Sequence, residues 1–168
     1  MDVLAIFGIG VLMSFVSSVV VAALYVWPRL RKIERDQALA TLVTPHAFLR
    51  FLGLSFLVPG VVSPSLPAGF AVPAASGDFV AGVLALSATI ALARQWRAAD
   101  AAVWAFNVWG AADLLFAFYR GSRVQLAPGS LGAGFLLITV LVPALLVTHG
   151  LIFGLLLQPQ ARTIAERA

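Results

Sequence analysis

The chain has no cysteine, which removes disulfides, zinc–thiolate sites, iron–sulfur clusters and thiol catalysis together. Lysine occurs once, at Lys32, outside every apolar run, so a retinal Schiff base has no anchor. Charged residues make up 11% of the 168, against roughly 25% in soluble proteins. Catalytic signatures are missing as well: there is no HExxH, no GxSxG and no Walker sequence. The GIG at 8–10 and GAG at 132–134 lack the strand–turn–helix context of a dinucleotide loop. No metal site is expected, and no cofactor can be named.

What fills the chain instead is apolar: 61% of residues are hydrophobic. No soluble fold of this length buries that much greasy surface, so most of it is expected to face lipid or other membrane helices. Apolar runs fall at about 2–27, 45–62, 74–95, 101–119 and 131–157, each near the roughly 17–25 residues that cross a bilayer as a helix. Helices are the expected form, because lipid offers no partners to open backbone groups. The expected fold is thus a single all-α domain over 1–168, a bundle of five transmembrane helices. The first run has no basic n-region and meets PRLRK at once, so it reads as a retained span rather than a cleaved signal. Thr44 with Pro45 and Pro73 are expected to start the second and third helices, and Ser130 to cap the fifth. Pro59 and Pro143 are expected to bend spans two and five by freeing the carbonyls of Ser55 and Thr139.

Basic residues sort by side. Arg29, Arg31, Lys32, Arg35, Arg94, Arg97, Arg162 and Arg167 fall on one side and only Arg120 and Arg123 on the other. By the positive-inside rule the N-terminus is outside and the C-terminus cytoplasmic. Tyr25, Trp27 and Trp96 then mark the inner boundary and Tyr119 the outer one. This placement of the net charge of +4 fits membrane topology rather than nucleic-acid binding. The Arg- and Ala-rich composition hints at a bacterial source and hence the cytoplasmic (inner) membrane. The segment 63–73, SPSLPAGFAVP, carries no basic residue and is expected to be an outer connector or lid.

A few polar residues remain inside the apolar runs. An ionised Asp at mid-span costs about 2.5–3.5 kcal/mol on insertion scales, so such residues are expected to face other helices or a wet cavity. Asn107 and His149 come out about 10 and 12 Å from the cytoplasmic face, at one level. Arg50 reaches toward them, while His46 is shallower and joins only if the second helix starts earlier than residue 45. Asp113, rotated about 120° from Asn107, and Asp78 fall in the outer half, with Arg120 the nearest counter-charge. Candidate ligand-binding residues are therefore His46, Arg50, Asn107 and His149, and candidate catalytic residues Asp78, Asp113 and His149. Each also has a purely structural reading: helix glue for Asn107, a helix-dipole position for Asp78, a snorkelling cation for Arg50. Gly150 and Gly154 form a GxxxG step, and Ala81, Ala85 and Thr89 a small-residue stripe, both suited to close helix contact.

Two function classes are expected from these residues. One is a non-enzymatic membrane protein that binds an apolar ligand or lipid, or serves as a subunit of a membrane assembly, as a homo-oligomer or with partner chains. The other is an intramembrane enzyme acting on a lipid or isoprenoid through His and Asp acid–base groups. Haem held by His46 and His149 is disfavoured by their estimated depth difference of about 10 Å. Proton-coupled transport through Asp113 finds no inverted halves to support it. FNVWGAAD, Phe106 to Asp113, resembles the FN-x-A-D box of lipoprotein signal peptidases over about eight residues, with three extra residues between the Asn and the acid. That family's other boxes are absent and it has four spans, so no residue role is carried over.

Overall fold

The computed structural model describes residues 2–158. Every element among them is helical, and five helices are long and apolar enough to cross a membrane. These are α1 (Val3–Leu30), α2 (Arg35–Leu57), α3 (Ala68–Ala93), α4 (Ala99–Arg123) and α5 (Gly134–Leu156). Arg162 and Arg167 lie outside the described residues.

The helices alternate in direction. At one end Arg35 donates through Nε to Leu155 O at 3.2 Å and through Nη1 to Asp100 at 2.9 Å, joining the start of α2, the end of α5 and the start of α4. At the other end, Ser63 N donates to Ser130 O and Ala133 N to Val61 O, tying the α2–α3 loop to the α4–α5 loop. We call these the Arg35 end and the Ser63 end. Alanine and glycine make up most of the buried positions of α3 (Ala71, Ala74, Ala75, Gly77, Ala81, Gly82, Ala85, Ala88, Ala91). With so little side-chain volume, α2 and α4 pack close on either side of it. Ala81 and Ala85 belong to that buried stripe, whereas Thr89 is only partly buried and turns its hydroxyl back to Ala85 O. α1 is peripheral: it packs along α5 and buries only Ala22 and Leu30.

Three helix starts differ from expectation. α2 begins at Arg35, because the amphipathic segment RDQALATLV buries Ala38, Leu39, Leu42 and Val43 and carries Asp36 in its first turn. Thr44 and Pro45 are a turn inside this span, crossed by a shorter bond from Ala47 N to Thr44 O, and Thr44 caps nothing. α3 begins at Ala68 with Pro67 before it, so Pro73 is inside the helix, where its ring costs only one bond near the first turn. Half of the segment expected to be a loop is therefore helix. Ser130 lies in a separate 3-10 turn (Pro128–Leu131) and bonds back to Ala127 O rather than capping α5.

The prolines act in two ways. Pro59 does not bend α2; Val58 before it is extended (ψ 114°), and the helix stops at Leu57. Pro143 and Pro28 each follow a widened π turn, Leu137–Leu141 and Ala22–Val26. Widening relieves the clash between a proline ring and the carbonyl four residues back. Of the GxxxG pair only Gly154 meets a neighbour, Trp27 of α1; a Cβ at Gly150 would meet nothing within 4 Å.

The core has two apolar clusters. One, around Leu39, Val43, Ala88, Val103, Phe106 and Ile152, closes the Arg35 end. The other, around Phe56, Phe70, Leu131 and Ile138, lies toward the Ser63 end. His46, Arg50, Asn107 and His149 are also buried.

Candidate functional site

The second half of α2, Arg50–Leu57, is a 3-10 helix. Its threefold period aligns Arg50, Gly53 and Phe56, all buried, in one stripe facing α3. The Arg50 side chain is fully buried (0% exposed) and forms ion pairs with both acids: Nη1 bonds Asp78 Oδ1 and lies 3.4 Å from Asp113 Oδ2. Nη2 donates to Gly110 O at 2.6 Å. One guanidinium thus ties α2 to α3 and α4. Asp113 pairs with Arg50 and not with Arg120, whose guanidinium lies 5.4 Å above the Phe116 ring.

Behind Arg50 lies a second group. His149 Nδ1 meets Asn107 Oδ1 at 2.7 Å, and Asn107 Nδ2 donates to His149 O at 3.3 Å. With its amide so oriented, Asn107 accepts from Nδ1–H, which leaves a lone pair on His149 Nε2. His46 Nε2 meets Thr148 Oγ1 at 2.8 Å, and that hydroxyl donates to Leu145 O at 2.7 Å. The only role left for His46 Nε2 is donor, so Nδ1 carries its lone pair. The two imidazoles stand with centroids 4.6 Å apart, each about 5 Å from the Phe106 ring (5.1 and 5.2 Å).

The depth separation read from sequence therefore does not hold. His46 joins His149 because α2 starts ten residues early, and the depth difference used against a shared haem is absent. Asp78 and Asp113 pair with Arg50, which meets α4 at Gly110 where His149 also approaches, so the acids adjoin the histidine group. Among the described residues no group of three or more His, Cys, Asp or Glu is placed to hold a metal.

Three glycines make this possible: Gly53, Gly77 and Gly110. A Cβ at Gly53 would fall on the Asp78 carboxylate, and one at Gly77 on Asp113. At Gly110 it would lie 2.5 Å from His149 Cε1 and 3.1 Å from Arg50 Nη2. Each glycine faces a polar side chain of another helix. A glycine within three residues of a polar residue in an apolar run (Gly77 beside Asp78, Gly110 midway between Asn107 and Asp113) is the signal that was there to be read.

Toward the Ser63 end the acids face a cavity of about 500 Å³, the size of an ordinary small-ligand pocket. All five helices line it: Leu4 and Phe7 from α1, Phe56 from α2, Phe70 and Ala74 from α3, Leu114, Ala117 and Phe118 from α4, Ile138 and Val142 from α5. Gln125 and Pro128 lie at its loop side, and among the described residues Asp78 and Asp113 are the ionisable ones that line it. Their side chains are 16% and 11% exposed.

The model of a family described as a domain of unknown function, DUF8737, matches residues 6–157. The chain belongs to this family. The DUF8737 match runs from the first turns of α1 to just past α5, so it takes in Arg50, both acids, both histidines and nearly all of the cavity wall. No curated protein and no solved structure matches the chain.

Proposed function

We propose that this DUF8737 protein is an integral membrane protein that binds a lipid-class apolar molecule in the cavity between its five helices. The observation that carries this reading is the cavity itself: about 500 Å³, walled by aromatic and aliphatic side chains from every helix, with two carboxylates set side by side in its lining. Such a pocket suits a molecule that is apolar along most of its length and polar at one place. The basic residues of the α1–α2 and α3–α4 turns lie at the Arg35 end, so the positive-inside rule puts that end in the cytoplasm. The cavity then belongs to the outer half of the membrane. A bacterial cytoplasmic membrane fits the composition.

The test is retention of lipid. Purified from mild detergent, the protein is expected to carry a bound lipid visible by native mass spectrometry. Ala117→Phe, which fills the cavity from α4, should remove that lipid while the thermal midpoint holds or rises. Retention of the same lipid by a stably folded Ala117→Phe protein would refute the reading.

A second reading, an intramembrane enzyme, has one observation of its own. Both carboxylates face the same cavity and share Arg50, an arrangement suited to acid–base work on a bound lipid or isoprenoid. It requires that Asp113→Asn bind the lipid as before but fail to convert it.

A further inference from the structure

We propose that the cavity selects an amphiphile with a cationic, ammonium-type head, held at Asp78 and Asp113. The proposal rests on the lipid-binding reading above and names its ligand class.

Charge count comes first. Two carboxylates converge on one guanidinium: Nη1 serves both acids while Nη2 donates to Gly110 O. With both acids ionised, two anions and one cation leave an excess negative charge, and a cation at the carboxylates would hold both in that form. Order of exposure comes second. The Arg50 side chain is 0% exposed, while the two acids line the cavity. A ligand therefore meets acceptor oxygens first and the guanidinium not at all. Ionised carboxylates only accept hydrogen bonds, so they suit the donors of an ammonium and repel a phosphate or carboxylate.

The cavity wall adds a third, independent observation. Phe7, Phe56, Phe70 and Phe118 line the space, and aromatic faces attract organic ammonium ions that have lost their water. Arg120 lines a small second cleft between α3 and α4 together with Asp113; it is not part of the main cavity wall.

The experiment uses the full chain in non-ionic detergent and three probes of equal chain length: dodecylammonium, dodecanol and dodecanoate. Retention is read by native mass spectrometry and by the shift in thermal midpoint. Dodecylammonium should bind about tenfold more tightly than dodecanol, and dodecanoate more weakly than either. Asp113→Asn and Asp78→Asn, each checked for folding by its own midpoint, should bring dodecylammonium down to the level of dodecanol and leave dodecanol unchanged. Equal retention of all three probes overturns the head-group proposal while leaving lipid binding in place. An ammonium preference that survives in both Asn variants also overturns it, since the charge would then be read elsewhere. If none of the probes is retained, the head-group proposal and the lipid-binding reading fall together.

Discussion

Gly110 of α4 and His149 of α5 approach so closely that a methyl group on residue 110 would lie 2.5 Å from Cε1 and 2.8 Å from Nε2 of the imidazole. Glycine here serves packing against a polar side chain rather than backbone freedom. A helical Gly→Ala change ordinarily stabilises by about 0.5–1 kcal/mol. Gly110→Ala is expected to do the opposite, losing about 1–3 kcal/mol through overpacking. Gly150→Ala, forty residues on in α5 with nothing within 4 Å, keeps the ordinary sign. Equilibrium unfolding of both variants in mixed micelles checks the pair; the same sign for both would remove the clearance argument.

Arg50 is the only counter-charge paired with Asp78 and Asp113 among the described residues. Arg50→Met, close in shape but neutral, leaves two largely enclosed acids without that partner. Breaking such a pair from one side costs about 3–5 kcal/mol. The triple variant Arg50→Met, Asp78→Asn, Asp113→Asn should recover most of that loss, because the whole ionic group is then gone. A single Arg50→Met variant as stable as the parent would show that the guanidinium balances nothing.

The helices were legible because run length alone separates a span from a loop, and each of the five runs has become a helix. Their starts were not, and α2 shows why. The segment 35–43 is amphipathic, so it has no apolar run to announce it, yet it packs Leu39 and Val43 to 0% exposure. Pro45 and Pro73 looked like first-turn residues and are internal, since a proline tells where a bond is missing but not how far the chain has already coiled. Depth arithmetic put Asn107 and His149 on one level, and the structure joins them at 2.7 Å. It split the acids from them because it counted Cα positions. The long side chain of Arg50 spans the gap, and no count of residues along one helix contains that reach. The cavity, walled by side chains from all five helices, has no trace in any single segment.

The C-terminal ends of α3 and α4 offer a cleaner test of local backbone. Trp96 N bonds Ala91 O while Gln95 N bonds Leu92 O, and Leu126 N bonds Gly121 O while Gln125 N bonds Ser122 O. Both are Schellman ends, and the position that favours glycine holds a glutamine at φ 51° and 49°. Left-handed backbone costs a side-chain-bearing residue about 1–2 kcal/mol. Gln95→Gly should therefore raise unfolding stability by up to about 1 kcal/mol without touching the cavity. A loss of stability would mean that the Gln95 side chain has a role the backbone geometry does not capture.

An ion pair at the Arg35 end bears on how that end sits in its surroundings. Arg35 holds Asp100 at 2.9 Å, with side chains 20% and 39% exposed. An ion pair this open is worth about 0–1 kcal/mol. Asp100→Asn should therefore change stability by no more than that. Its neighbours matter for direction instead: Arg29, Arg31 and Lys32 flank the same end, and the proposed threading makes it cytoplasmic. The absence of cysteine turns that into a direct measurement, because any thiol introduced is the only one present. Ala98→Cys, exposed in the α3–α4 turn, and Ser65→Cys, exposed in the α2–α3 loop, lie at opposite ends of the bundle. In intact cells a membrane-impermeant maleimide should label Cys at 65 and not at 98; after lysis it should label both. The reverse pattern would turn the molecule over, and the cavity with its two carboxylates would then draw its ligand from the cytoplasmic leaflet. Labelling of both in intact cells would mean that α3 does not cross at all.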